Sequence, residues 1–260
     1  MFTVTYAQLN AWLTAFLWPF TRIAALVAAS PLFGHTGIPA RVKIALAAFI
    51  TLIVAPTLGP MPQATVFSAA GVWIMVMQLL IGAALGFAMQ LVFAAVEMAG
   101  SLIGLQMGLG FATFFDPSSN ASAQVIASFL NMIALLAFLT FNGHLQVIAA
   151  LIGSFQSVPI AATMYGPPGM RTLVEWGSAI FSAGLLLSLP VVIALLVASL
   201  SLGILNRAAP QIGVFQIGFS VTLMVGMLLI MLMLPNMIPF FAHLVETGVD
   251  EMGRVAAALH

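Results

Sequence analysis

The stretch FSAAGVWIMVMQLLIGAALGFAMQLVFAAV, at residues 67–96, carries no charged side chain and ends just before Glu97. A helix that crosses a bilayer needs about 20 mostly apolar residues, so this stretch predicts a membrane-spanning helix. The rest of the chain has the same character, because 63% of its 260 residues are hydrophobic and 5% are charged. Soluble domains carry about 25% charged residues. The composition therefore predicts an integral membrane protein without a soluble catalytic domain.

Five further apolar segments complete a predicted all-α, polytopic fold of about six long helices. Clusters of Gly and Pro, which favour turns, separate them. The segments cover residues 9–32, 44–58, 125–158, 180–204 and 214–241. Pro190 predicts a kink, whereas Pro235 and Pro239 lie near the end of the last helix, and a short amphipathic tail is expected to follow. No linker divides the chain, so we expect one domain of residues 1–260.

The composition also argues against several kinds of function. The net charge is zero, so no basic surface is available for nucleic acid. The chain has no Cys, which excludes disulfides and thiolate metal sites. It contains neither a Gly-rich phosphate loop with a Lys nor a His-Glu-x-x-His motif. Six acidic residues leave little for acid–base chemistry. We therefore expect no enzymatic activity, no metal and no cofactor.

Arg22 and Glu97 are charged residues within or at the end of apolar segments, where charges are costly and often functional. They could form a proton or ion path, but a structural ion pair, with each other or with a partner subunit, is the favoured interpretation. His144 has no second His or carboxylate three or four residues away, which argues against a metal site.

Glycines at four-residue spacing mark faces where helices can approach closely. Gly82 and Gly86 form one such pair, and Gly100 and Gly104 continue the pattern toward Gly108. A stripe without side chains lets a second backbone come near. The second helix could belong to this chain or to a partner chain, and the spacing alone leaves both possibilities open.

The loop that begins at Gly108 combines glycines with bulky aromatic residues. Gly108 and Gly110 allow a break in the helix, and Phe111, Phe114 and Phe115 follow at once. An apolar, non-helical segment at membrane depth has to be buried by protein or line a cavity. Two interpretations follow, a gate or plug segment, or a re-entrant loop that only packs.

Two polar sequences next to apolar helices suggest simpler local roles. Asp116 followed by Pro117 is a helix N-cap with Pro at the first helical position. A compact polar turn, facing a partner or simply joining two helices on the cytoplasmic side, is expected between the last two helices. Its candidate residues are Asn206, Arg207, Pro210 and Gln211.

Four motifs, in order along the chain, resemble those of the FliR family of flagellar export-gate proteins. They are PLFG at 31–34 with IP at 38–39 and Lys43, GLQMG at 104–108 with FATFFDP at 111–117, FLTFNGH at 138–144, and NRAAPQIGVF at 206–215. Together they extend over almost the whole chain. A related injectisome component is the second choice, and the Asn-Gly-His and Asn206-Arg207 sequences favour the flagellar branch.

The resemblance implies a role and a set of partners. Proteins of this family join FliP-type and FliQ-type subunits, with an FlhB-type switch protein, in a hetero-oligomeric, closed portal for unfolded flagellar subunits. The implied location is the flagellar basal body in the bacterial inner membrane, in contact with lipid. The family pattern corresponds to a P-like part at about 1–175 and a Q-like part at about 176–260, whose hairpin lies at about 180–241.

In the family, the Gly- and Phe-rich loop lies in the pore and helps to close it. The matching positions are Gly108, Gly110, Phe111, Phe114 and Phe115. The sequence leaves two alternative functions open. One is a stand-alone transporter or channel with Arg22 and Glu97 in a midplane site, and the other is a structural scaffold of the export apparatus. A homo-oligomer is not expected.

Overall fold

The structure, a computed structural model, describes residues 5–110, 121–162, 168–208 and 214–259. Within these ranges the chain folds into seven α-helices and contains no strand. The helices are α1 (Tyr6–Ala29), α2 (Ala40–Val54), α3 (Ala69–Gln106), α4 (Ala121–Thr140), α5 (Gly143–Ser157), α6 (Pro168–Ala208) and α7 (Val214–Ala258). A short 3-10 turn, Ala55–Thr57, follows α2. The predicted all-α fold is confirmed.

Five of the described helices are long and apolar enough to cross a membrane: α1, α2, α3, α6 and α7. A sixth span results if α4 and α5 are counted together as one broken span. At a rise of 1.5 Å per residue, the 38 residues of α3 extend over about 57 Å, nearly twice the hydrocarbon thickness of a bilayer. The long helices therefore extend beyond what a simple span requires.

The predicted end of the last helix at residue 241, shortly after Pro235 and Pro239, was wrong. α7 contains Pro235 and Pro239 yet continues to Ala258, where a separate short tail was expected. A proline removes one backbone hydrogen bond, and the remaining turns keep the helix intact. The continuation also has a buried apolar face, on which Val245, Met252 and Val255 recur at helical spacing. That buried face stabilises the segment as a helix.

The predicted single helix over residues 125–158 is two helices. Asn142 adopts a left-handed conformation with φ 56° and ψ 28°, and α4 and α5 are bent by 68° at this break. Asn tolerates left-handed backbone better than most residues, and Gly143 follows it directly. His144 consequently lies in the first turn of α5 and not in the middle of a long helix.

The chain divides into two compact units, each assembled from several segments. The first unit comprises Met1–Leu91, Asn142–Gly177 and Val245–His260. The second unit comprises Val92–Phe141 and Ser178–Leu244. The two-part division implied by the family resemblance, with its cut near residue 175, stays a prediction.

Each unit has its own apolar core. In the first unit, α1 and α3 contribute fully buried side chains, among them Trp18, Ile23, Ile74, Ile81 and Leu85. In the second unit, the ring of Phe93 contacts Phe138 at 5.6 Å and Phe241 at 5.5 Å between centroids, both edge to face. Edge-to-face pairs place the positive rim of one ring on the negative face of another, which fixes α3, α4 and α7 locally.

Candidate functional site

The last turn of α3 ends in a defined glycine cap. Gly108 has φ 84°, in the left-handed region. The Leu109 amide donates to the Gly104 carbonyl at 3.1 Å, and the Gly108 amide donates to the Leu105 carbonyl at 3.0 Å. This pair of bonds is a Schellman motif, which satisfies the free carbonyls of a helix end. The helix break that the sequence predicted at Gly108 therefore has a specific geometry.

Helix α7 anchors this end of α3 within the second unit. Met107 is fully buried. The Thr222 hydroxyl lies 3.2 Å from the Met107 carbonyl oxygen. The same hydroxyl lies 3.0 Å from the carbonyl oxygens of Gly218 and Phe219, one turn earlier on α7, so three acceptors compete for its proton. A Cβ added at Gly226 would lie 2.6 Å from Met107 Cγ, so only glycine leaves room for this side chain. The start of the Phe-rich loop is therefore a fixed point.

Much of the predicted gate loop lies outside the described residues. This holds for Phe111, Phe114, Phe115, Asp116 and Pro117, so the plug and the helix cap stay predictions. Gly110 lies within the described part and is half-buried.

The glycine stripes approach helices of the same chain. A Cβ on Gly82 would clash with the Arg22 carbonyl oxygen, and one on Gly86 would lie 2.7 Å from Ala29 Cβ. In the second unit, a Cβ on Gly100 would lie 2.5 Å from the Cα of Ala127 on α4. Gly104 is buried, and its carbonyl forms part of the Schellman motif. At Gly82, Gly86 and Gly100 the second backbone belongs to this chain.

Arg22 is fully buried and its guanidinium is surrounded by oxygen acceptors. Its Nε donates to Gln78 Oε1 at 2.7 Å, and its Nη2 donates to the Val158 carbonyl at 2.9 Å. Its Nη1 donates to the Ser154 carbonyl at 2.9 Å and lies 3.2 Å from the Ser154 hydroxyl. The Phe155 ring centroid lies 4.2 Å from the guanidinium carbon. The side chain thus joins α1, α3 and the end of α5.

The electrostatics of this cluster suit a cation. Ser154 and Val158 lie at the C-terminal end of α5, where carbonyl dipoles concentrate partial negative charge. The face of Phe155 adds a further attraction for the guanidinium. Glu97, the other charge that the sequence singled out, is exposed and belongs to the second unit, whereas Arg22 belongs to the first.

Sequence reasoning found Arg22 but missed its partners. Gln78 is one of few polar residues in the apolar stretch 67–96, and this rarity could have marked it. Two of the other acceptors are backbone carbonyls, which every residue possesses. Nothing in the sequence therefore distinguished Ser154 and Val158 as ligands of the guanidinium.

His144 lies in the first turn of α5. It is half-buried, and its Nδ1 has no hydrogen-bond partner in the part of the chain that the structure describes. Across the same ranges, no group of three or more His, Cys, Asp or Glu side chains could hold a metal ion.

Two of the four residues predicted for the polar turn between the last two long helices lie in a helix. Asn206 and Arg207 are exposed, but they lie on the last turn of α6, which continues to Ala208. A cation at this position is favourable because it lies next to the partial negative charge of the helix C-terminus. Pro210 and Gln211 are outside the described residues.

These features define a class: a polytopic, helical membrane protein in which a buried arginine is bound by oxygen acceptors of the same chain. Residues 13–248 match the family described as "Bacterial export proteins, family 1". The chain belongs to this family, and the predicted FliR resemblance is confirmed.

Curated relatives agree with the family match. The flagellar biosynthetic protein FliR of Pectobacterium carotovorum subsp. carotovorum is 46% identical over 259 residues, which cover 100% of this chain and 99% of that protein. FliR of Escherichia coli (strain K12) is 46% identical over 244 residues, with 94% and 93% covered. FliR of Bacillus subtilis (strain 168) is 30% identical over 246 residues, with 94% and 95% covered.

Proposed function

We propose that this chain forms part of the closed portal through which unfolded flagellar subunits leave the cytoplasm by type III export. Membership of the bacterial export protein family and similarity to FliR proteins support its assignment to the flagellar export apparatus. Helices long enough to cross a membrane support a location in a membrane, and the flagellar role makes the bacterial inner membrane the natural one.

The portal proposal rests on one structural observation, the well-defined end of α3 at Gly108, from which the Phe-rich loop starts. α3 ends in a Schellman motif at Gly108, and α7 anchors Met107 directly before it. Three phenylalanines then follow within seven residues of Gly108. Bulky apolar side chains can close a narrow lumen by excluding water. A loop that starts from an immobile helix end can present them at a defined place.

Extensive apolar surface on α6 and α7 supports an assembly with other membrane chains. The exposed side chains include Phe181, Leu186, Val197, Leu200, Ile204, Met224, Met231 and Leu232. An open apolar groove of about 500 Å³ also lies in the first unit, lined by α1, α3 and α6. Soluble monomers rarely expose such patches. We infer that lipid and subunits of the FliP, FliQ and FlhB types cover them.

A catalytic or transporter role has less support. Arg22 is fully enclosed by carbonyl, amide and hydroxyl oxygens, which is the environment of a structural cation. The match to a family of bacterial export proteins, and curated relatives named flagellar biosynthetic proteins, support protein export over small-molecule transport. We infer that the chain acts as a structural and gating component and not as an enzyme.

The portal proposal is tested by replacing Phe111, Phe114 and Phe115 together with Ser in the assembled export gate. Removing the apolar bulk is expected to increase ion flux through gates reconstituted in liposomes. The matched control replaces the same three residues with Leu, which keeps the site apolar. Deletion of residues 110–115 is a second, stronger perturbation with the same expected direction.

Co-purification of the variant with the other gate subunits establishes that assembly is intact before flux is compared. Equal ion flux for the Ser variant, the Leu variant and the wild type would show that the loop does not seal the pore. A chain that purifies as a substrate-binding homo-oligomer, without other gate subunits, would instead favour a stand-alone transporter.

A further inference from the structure

A buried polar stripe runs along one face of α1. Asn10, Thr14, Trp18 and Arg22 follow one another at four-residue steps, which places them on one side of the helix. Thr14, Trp18 and Arg22 are buried. Arg22 has the acceptors described above, but the environment of Trp18 is different.

The contacts of two glycines give the register between α1 and α3. A Cβ on Gly82 would meet the Arg22 carbonyl, and one on Gly86 would meet the Leu26 carbonyl four residues further along α1. The two helices therefore run parallel at this contact. Gln78 lies one turn before Gly82, and Trp18 lies one turn before Arg22. This register places Trp18 and Gln78 at the same level of the helix pair.

Both of these side chains carry an N–H group without an acceptor. Trp18 Nε1 and Gln78 Nε2 are buried and have no hydrogen-bond partner among the described residues. The Gln78 amide is oriented by Arg22, because its Oε1 accepts from Arg22 Nε. Its NH2 group must therefore point to the other side. Buried donors are almost always hydrogen-bonded in proteins, so an acceptor is required at this level of the helix pair.

We propose that a structural water molecule binds between Trp18 and Gln78. Its oxygen accepts from Trp18 Nε1 and Gln78 Nε2. Thr14 is the neighbouring acceptor, because its hydroxyl proton is directed to the Asn10 or Ala11 carbonyl, each at 3.0 Å, which leaves lone pairs free. The water therefore has three polar partners, within the two to four that a buried water requires.

The chemistry of the site selects water over other ligands. Trp18, Gln78 and Arg22 are each 0% exposed, so no lipid or partner chain reaches the two donors. A ligand that both accepts from two N–H groups and donates to a hydroxyl has to carry hydrogens of its own, which excludes a simple anion. The bound water extends the hydrogen-bond network of Arg22 across α1 and α3.

The test uses the full chain in detergent micelles with nitrogen-15 at the four tryptophan indoles. Magnetisation transfer from water to each indole proton is measured by NMR. Trp176 is the matched control, because it is buried and its Nε1 donates to the Ala88 carbonyl at 2.9 Å. Substituting Phe at Trp12, Trp73 and Trp176, one at a time, assigns the Trp18 signal by elimination without changing the site.

We expect a direct water cross-peak at the Trp18 indole and none at Trp176. Gln78→Leu and Thr14→Val should each remove or weaken the Trp18 cross-peak and shift its indole proton, because the water loses a partner. If either variant fails to fold, the wild-type comparison of Trp18 with Trp176 still decides. A Trp18 indole without a water cross-peak, at the chemical shift of a free indole, would overturn the proposal.

Discussion

Replacing Arg22 with Met tests whether the buried guanidinium stabilises the first unit. Met has a similar length and an apolar side chain, so it fills much of the same space. The substitution leaves three oxygen acceptors buried without their donor, on Gln78, Ser154 and Val158. The end of α5 is then no longer tied to α1, although these residues are more than 130 positions apart in the chain.

The magnitude follows from the number of groups that lose a partner. Each buried acceptor that is left without its donor costs about 1–3 kcal/mol, so the loss of three donor contacts costs about 3 kcal/mol or more. For a chain of this size, this corresponds to a decrease in melting temperature on the order of 10 °C. Arg22→Lys should lie between Met and wild type, because an ammonium keeps the charge but lacks the planar fork that reaches three acceptors.

The measurement is the apparent melting temperature of the detergent-solubilised chain, read from the fraction that stays monodisperse after heating. Arg207→Met is the matched control, because Arg207 is exposed at the end of α6. Its effect should stay within about 0.5 kcal/mol. A melting temperature for Arg22→Met equal to that of Arg207→Met would refute the stabilising role of the cluster.

Three further substitutions test the helix contacts. Gly108→Ala should lower the free energy of unfolding by about 1–2 kcal/mol, because a Cβ is strained at φ 84°. A melting temperature equal to that of the wild type would contradict this prediction. Gly82→Val should prevent folding, because the added side chain meets the Arg22 carbonyl. Gly153→Val should still fold, because nothing lies near its added Cβ. The amount of each variant in the membrane measures the difference. Thr222→Val should cost about 1 kcal/mol by losing its bond to Met107, and it should increase proteolytic cleavage of the loop that follows. Unchanged cleavage would show that the bond does not hold the loop.

The positions of the long helices could be predicted from the sequence because apolar runs are a direct signal. The ends of those helices could not. The last helix was predicted to end at residue 241, shortly after Pro235 and Pro239, but α7 continues to Ala258. A proline changes the local backbone, whereas Val245 and Val255 are buried in a compact unit that also contains Met1–Leu91. The sequence near the prolines gives no information about this tertiary packing.

The break at Asn142 was missed for a related reason. Asn and Gly favour a left-handed turn, but the surrounding apolar residues favour a continuous helix, and the apolar signal dominated the prediction. For the Arg22 cluster, the sequence could identify the charged side chain but not its acceptors. The distances from position 22 to positions 154 and 158 arise from the fold, and backbone carbonyls have no sequence signature.

The proposed portal role places two physical demands on the same chain, because a portal has to seal and also to open. The sealing groups must be able to move, whereas their starting point must stay fixed, since an error in position at the anchor is transmitted to the whole loop. Gly108 and Met107 meet the second demand. Gly108 caps the end of α3, the Met107 carbonyl accepts a hydrogen bond from Thr222, and the Met107 side chain fills the space that Gly226 leaves open. A rigid scaffold that presents a loop is the usual arrangement for function in proteins. Under the proposed function, we therefore expect substitutions at Thr222 and Gly226 of α7 to affect how tightly the portal closes.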